Sequence, residues 1–400
     1  MDRPFLPYGR QRIEDDDIAA VAEALRSDFL TTGPVVEAFE AKLAEIAGAA
    51  YAVSCSSGTA ALHMAAIALD LKPGDVAVVP AMTFLATGNA ARYVGADVQF
   101  ADVDPDTGLM TAETLAAALD RAGPAAKAVF PVHINGQTCD MARLRAATDL
   151  PIVEDACHAL GGFHQGPGND MVPVGSCAFG EMAIFSFHPV KTVAMGEGGA
   201  VTTNDSVLAE RLARARNIGM TRDPAMFQVA EQAFDAAGDA NPWYYEMPEL
   251  GLNYRASAIH CALGLNQLGK LPRFVAARDA LMAQYLDTLA PLAPVVRPVP
   301  HVAGCTPSWH ICVVLIDFDA AGTDRATVMR ALAAQGIGTQ VHYLPVNRQP
   351  YYRNLYGETP LPGADAYYDR ILTLPLQVGI TDDDVARVVG ALADVLGIGG

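Results

Sequence analysis

Apolar residues along this chain alternate between two rhythms. Short apolar runs bounded by turn residues, Ala52–Ser54, Val76–Pro80, Val98–Ala101, Lys127–Pro131 and Ile152–Glu154, have the length of strands. Between them lie Ala-rich stretches, Thr59–Leu69, Thr83–Val94 and Thr111–Leu119, whose apolar positions recur at helical spacing. Parallel strands need crossover helices, and the spacing leaves room for them, so the pattern predicts an α/β unit with a largely parallel sheet. Ala183–Phe187 and Ala200–Thr203 extend the β pattern, and a helix follows near Ser206–Arg216.

Met220–Gly251 mixes Asp, Pro and aromatic residues without periodicity and reads as a loop or inter-domain connection. Beyond it, Ser257–Leu271 and Arg273–Leu289 read as two helices broken by Pro272. Strand-like Ile311–Ile316, a helix over Asp324–Gln335, a strand over Thr339–Val341 and a terminal helix over Asp382–Leu396 predict a smaller α+β domain. The expected division is a large domain with an N-terminal arm over 1–250 and a small domain over 251–400.

With 400 residues, 51% hydrophobic and 18% charged, the chain has ample apolar material for a large core, which excludes global disorder. Its net charge of −18 repels phosphate backbones and anionic lipid, so neither nucleic acid nor a membrane is an expected partner. No run approaches the roughly 20 apolar residues of a spanning helix, and the start MDRPFLPYGRQRIEDDD lacks a signal peptide's apolar stretch. The seven cysteines are scattered with no C-x-x-C pair, which points away from a disulfide framework or zinc ribbon and towards the cytoplasm.

Three features carry candidate chemistry. Cys55-Ser-Ser-Gly58-Thr59 runs from a strand into a helix, leaving unpaired N–H groups and a positive dipole end to face an anion. Glu154-Asp155 closes an apolar strand, and the carboxyl ends of parallel strands are where such sheets place ligands. Lys191 lies between the apolar Ala183-Ile-Phe-Ser-Phe and the glycine-rich Gly196–Gly199, where desolvation lowers an amine's pKa and readies it as a Schiff-base nucleophile. Singly these are also an ordinary helix cap, a solvated acid and a surface lysine. Together they supply what pyridoxal phosphate (PLP) needs: an amine for its aldehyde, an acid for its ring nitrogen and donors for its phosphate.

The phrases SSGTAALH, VEDACHALGG, FSFHPVKTVAMGEGGAVTTN and LNYRASAIHCALGLNQL resemble, in order and spacing, the motifs of the DegT-type nucleotide-sugar aminotransferases. That resemblance implies a fold-type I architecture with a mostly parallel seven-stranded sheet, PLP as cofactor with pyridoxamine phosphate as its intermediate form, and a homodimer with shared active sites. It implies Lys191 as the Schiff-base lysine and Asp155 as the partner of the ring nitrogen. Gly58, Thr59 and Ser186 are implied at the phosphate, Phe84 against the ring, His158 near the ring hydroxyl, and Asn253 at the neighbouring subunit's phosphate. Tyr8, Thr31, His342 and Tyr343 lie in segments that resemble substrate-facing parts of the family.

MTRDP, PWYYEMPELGLNYR and GIGTQVHYLPVNRQPYY resemble the branch that uses L-glutamate to make UDP-4-amino-4,6-dideoxy-N-acetyl-β-L-altrosamine for pseudaminic acid. The rival expectations are a different nucleotide-linked keto-sugar, or an idle PLP fold serving as a regulatory or binding module. Ala256-Ser257-Ala258 departs from the family pattern, in which an acid follows the Ser or Thr. Lys191 argues against the branch of dehydratases in which histidine replaces it, and His188, three residues earlier, is expected to be structural.

Overall fold

A computed structural model describes residues 4–398. Two helices, α1 (Asp15–Arg26) and α2 (Pro34–Ala47), precede the first strand. The strands of the main sheet are β1 (Tyr51–Cys55), β2 (Val76–Pro80), β3 (Asp97–Ala101), β4 (Ala126–Val129) and β5 (Val153–Asp155). After a small hairpin of β6 (Phe163–Gln165) and β7 (Met171–Pro173) come β8 (Met182–Ser186) and β9 (Gly199–Thr203). One ladder runs β1-β9-β8-β5 and another β3-β2-β4. Parallel bridges Val129–Ile152 and Val132–Asp155 join them into the expected seven-stranded sheet. All pairings are parallel except those of β9 with β1 and β8.

Crossovers between parallel strands supply helices α3 (Gly58–Ala68), α4 (Leu85–Tyr93) and α5 (Ala112–Ala122). The Ala-rich face of α3 is buried along its length, so Ala60, Ala61, Leu62, Met64 and Ala65 pack into one core with Val79, Ile184 and Val201. Ser57 caps α3, accepting from the Ala60 N–H at 3.1 Å, a contact worth about 1 kcal/mol.

A second sheet is antiparallel, with β12 (Cys312–Ile316) between β10 (Val296–Pro298) and β13 (Ile371–Leu374), while β11 (Cys305–Thr306) pairs with β6. Tyr285 and Leu289 of helix Leu271–Leu289 and Val385 and Leu392 of helix Asp382–Leu396 share a core with Val314 and Ile316 of β12. Two seams fix this sheet against the first. Ser308 N–H donates to Gly136 O and His310 N–H to Asn135 O, both at 3.1 Å. A side chain at Gly136 would put its Cβ 2.1 Å from Ser308 O. The N-terminal arm supplies the other seam, with Leu6 N–H donating to Gly336 O at 2.8 Å and Leu376 N–H to Tyr8 O at 3.0 Å.

Three local expectations change. The helix break lies at Lys270, and Pro272 sits in the first turn of the following helix, where its missing N–H has no partner to lose. Thr339–Val341 forms only a single bridge, Gln340 to Thr373, in place of a strand. Met220–Gly251 is largely irregular but includes short turns at Pro224–Met226 and Ala230–Ala233. Among the described residues no helix is long and apolar enough to cross a membrane.

Candidate active site

The carboxyl ends of β5 and β8 and the N-terminus of α3 open onto one cavity of about 520 Å³. Tyr8, Gly58, Thr59, Phe84, Asp155, His158, Ser186, Lys191, His342 and Tyr343 all line it. Thr31 lies outside, in a surface cleft with Arg214, Arg216 and Arg222, because the turn before α2 faces that way. Asn253 is exposed on an edge segment that bridges to Asn217, and it too is outside the cavity.

Asp155 ends β5 only 5% exposed. Its Oδ2 accepts from Thr87 Oγ1 at 2.7 Å, and Thr87 in turn pairs with Thr83 Oγ1 at 2.7 Å. Its Oδ1 accepts the Cys157 N–H at 3.2 Å. Thr87 lies in the first turn of α4 and Thr83 just before its cap, so the two hydroxyls meet where the chain enters the helix and no helical period links them. His310 had no local signal either, since the seam at Asn135 and Gly136 brings it into the cavity wall.

Lys191 follows a tight turn in which its N–H donates to His188 O at 2.8 Å. His188 is exposed and also lines the cavity. Burial lowers the Lys191 pKa, while Cys157 and Asp155 oppose that shift. Burial also drives down the three imidazoles around it. His342 falls to about 3, with Lys191 contributing, and His158 and His310 lie well below the ordinary histidine value. Burial holds the Tyr343 phenol well above its usual value, helped by Asp155, Cys157 and Tyr8.

These side chains touch one another. His158 Nε2 and the Tyr343 hydroxyl are 3.0 Å apart, and the His158 and His310 ring centres are 4.3 Å apart. His342 Nδ1 meets Thr373 Oγ1 at 2.8 Å, and its ring lies 5.4 Å from that of Tyr8. Phe84 is 54% exposed, its ring 5.9 Å from Tyr343, and so presents a bare aromatic face. At the other end, Gly58 closes on Ser186, where a Cβ would stand 2.8 Å from the serine Cβ. The small residue lets the start of α3 and the end of β8 form one concave surface of N–H and hydroxyl donors. A half-buried amine of lowered pKa, an oriented carboxylate and an anion cradle can bind a phosphorylated aldehyde and move protons next to it.

Comparison with known proteins agrees with this chemistry. The profile described as the DegT/DnrJ/EryC1/StrS aminotransferase family matches residues 11–393. Spr1654 from Streptococcus pneumoniae, described as a sugar aminotransferase and solved in a PLP form, is 26% identical. The likeness covers 98% of this chain and 99% of that one, with a TM-score of 0.86. Its PMP form superposes equally well. Helicobacter pylori PseC, an aminotransferase involved in the biosynthesis of pseudoaminic acid, is 25% identical over 98% and 99% of the two chains, TM-score 0.86. DesI, solved in the presence of its TDP-sugar product, is 33% identical over 100% and 95%, TM-score 0.84.

Proposed function

The chain belongs to the DegT/DnrJ/EryC1/StrS aminotransferase family and is a PLP-dependent sugar aminotransferase, and from that premise we propose its substrates. The amino group comes from L-glutamate and goes to C4 of a UDP-4-keto-6-deoxy-N-acetylhexosamine. The products are 2-oxoglutarate and UDP-4-amino-4,6-dideoxy-N-acetyl-β-L-altrosamine, a precursor of pseudaminic acid. The observation that carries the reading is one cavity holding Lys191, Asp155 and the start of α3, and the likeness to PseC supports the choice of sugar.

The residues present fit PLP. The cradle at Gly58 has no room for a Cβ beside Ser186, and Asp155 is a carboxylate with one oxygen already held by Thr87. Gly58, Thr59 and Ser186 would hold the phosphate, Phe84 the ring face, His158 the ring hydroxyl and Asp155 the ring nitrogen. When bound, PLP supplies an electron-poor ring that stabilises negative charge on a carbon losing its proton. Lys191 is the base. Its Nζ, whose pKa burial lowers, would take the proton from the amino-bearing carbon of the donor and, in the second half-reaction, give one to the sugar carbon that receives the nitrogen. Tyr8, His342 and Tyr343 face the substrate.

Thr31 and Asn253, outside their own chain's cavity, serve the site of a second copy in a homodimer. A cytoplasmic setting belongs to the same proposal, supported by cysteines that are all free among the described residues. A second reading, with the keto-sugar carried on TDP, is favoured by the 33% identity to DesI.

Absorption spectra of the PLP-loaded protein test the proposal. A near-violet band should fade with L-glutamate and return with the UDP-4-keto-sugar. Return only with a TDP-4-keto-sugar selects the second reading, and no fading with glutamate overturns the assigned amino donor.

A further inference from the structure

The hydrogen bond between His158 and Tyr343 has a direction that the surroundings select. His158 Nε2 lies 3.0 Å from the Tyr343 oxygen. Its other ring nitrogen, Nδ1, is shut away from solvent and has no partner among the described residues. A neutral imidazole carries one proton. If that proton were on Nδ1, a buried N–H would be left without an acceptor, the costlier of the two kinds of orphan. Placed on Nε2, it is donated to the Tyr343 oxygen. The phenol's own proton is then not needed by His158, and Tyr343 lines the cavity.

We propose that Tyr343 is the cavity's directed hydrogen-bond donor: His158, as the Nε2–H tautomer, donates to its oxygen from behind, and the phenol O–H is turned towards an acceptor oxygen of the bound ligand. Burial supports both protonation states, keeping the imidazole neutral and the phenol protonated. The groups around the pair are Asp155, Cys157, Tyr8, Lys191, His310 and His342. The acceptor is an oxygen bonded to trigonal carbon, either the cofactor's ring oxygen or the keto-sugar's carbonyl. This deepens the reading of Tyr343 as substrate-facing and rests on it.

Nitrogen-15 NMR of the full chain labelled at histidine tests the tautomer without cofactor, with the His158 signal assigned by its loss in His158→Gln. The expected result is a proton on Nε2. A proton on Nδ1 overturns the proposal, and the chemical shifts that decide it are those of the unaltered chain. In the PLP-loaded protein, Tyr343→Phe then locates the acceptor. A shifted pH titration of the visible band assigns the ring oxygen. An unchanged titration, with at least a tenfold loss confined to the keto-sugar half-reaction, assigns the carbonyl. No change in either overturns the donor role. Absence of the band in the wild-type protein would instead sink the functional reading and leave the tautomer result standing.

Discussion

Strand β5 turns two neighbouring carboxylates to opposite sides of the sheet, and the histidines on those sides behave in opposite ways. Behind the sheet, Glu154 Oε2 meets His133 Nε2 at 2.9 Å with both side chains fully buried. Burial alone would lower the His133 pKa, but its contacts with Cys139 and the Glu154 carboxylate outweigh that and hold it at about 10. On the cavity side, His342 is pushed to about 3, and His158 and His310 fall well below their ordinary value. Those three have Lys191 as a neighbour and, among the described residues, no carboxylate hydrogen-bonded to their rings. Burial is common to both sides, so the neighbouring charge decides. The rear pair is a mutual structural contact, whereas the cavity imidazoles are desolvated and hydrogen-bonded only to neutral hydroxyls where a partner is present, the kind of environment that reacting sites use.

The largest expected effect tests the cavity side of this contrast. Lys191→Ala should abolish the visible band with PLP and cut turnover by about 10³–10⁴-fold or more. Lys191→Met carries a second expectation. The fold disfavours the charged amine, so removing it should raise the melting temperature of the cofactor-free protein. A variant that is both inactive and less stable would mean that Lys191 is a structural cation.

Next in size is a direct comparison of the two carboxylates. Asp155→Asn should keep the fold but lower turnover about a hundredfold or more, each 1.4 kcal/mol of lost charge stabilisation being a factor of ten. Glu154→Gln should do the reverse. It takes away the carboxylate that the buried His133 Nε2 meets at 2.9 Å, which costs about 1–3 kcal/mol of stability, while activity per folded molecule stays near that of the unaltered protein. Urea midpoints and turnover on the same samples separate the two. Equal effects on both readouts would erase the distinction between the faces.

This distinction was only partly legible in the sequence. Val76–Pro80, Ser206–Arg216 and Asp382–Leu396 were readable to the residue because each pairs a clear period with a turn or cap residue at its ends. α1 and α2 escaped, since the acidic start of α1 masks its narrow apolar stripe, and Glu14 with Asp17 forms its cap contact at 2.9 Å where no Ser or Thr signals one. Asp155 and Lys191 could be singled out because each is a charge set at the end of an apolar run. His310 could not, because its place depends on a seam between segments about 170 residues apart, a long-range contact that no local period encodes.

The pH dependence of stability offers a finer test, with opposite signs on the two faces. His342 titrates at about 3 when folded against 6.5 when unfolded, so between those values the unfolded chain binds the extra proton. Stability therefore falls as pH drops through that window, by up to about 1.4 kcal/mol per pH unit for this group, and His342→Gln should flatten the slope. His133 titrates at about 10 when folded. Its contribution is complete below 6.5 and is lost as pH rises towards 10, so His133→Gln should flatten the alkaline side. Urea midpoints from pH 4 to 9 would show both, and matching slopes for the two variants would contradict the opposed pKa shifts.

The smallest expected effect concerns how the cavity carboxylate is held. Among the described residues no basic side chain is hydrogen-bonded to Asp155 as the imidazole is to Glu154, and its Oδ2 depends on the Thr87 hydroxyl at 2.7 Å. Thr87→Val keeps the shape and removes that donor. Losing a hydrogen bond to a charged group costs about 1.5 kcal/mol at the low end, so PLP should bind about tenfold more weakly, as read from absorbance titration. Thr87→Ser should restore most of the loss, since it returns the hydroxyl without the methyl. If the valine variant binds PLP as tightly as the threonine protein, the Cys157 N–H at 3.2 Å suffices to orient Asp155. The front face would then need no more side-chain support than a single backbone donor gives, and the contrast with the paired carboxylate behind the sheet would widen.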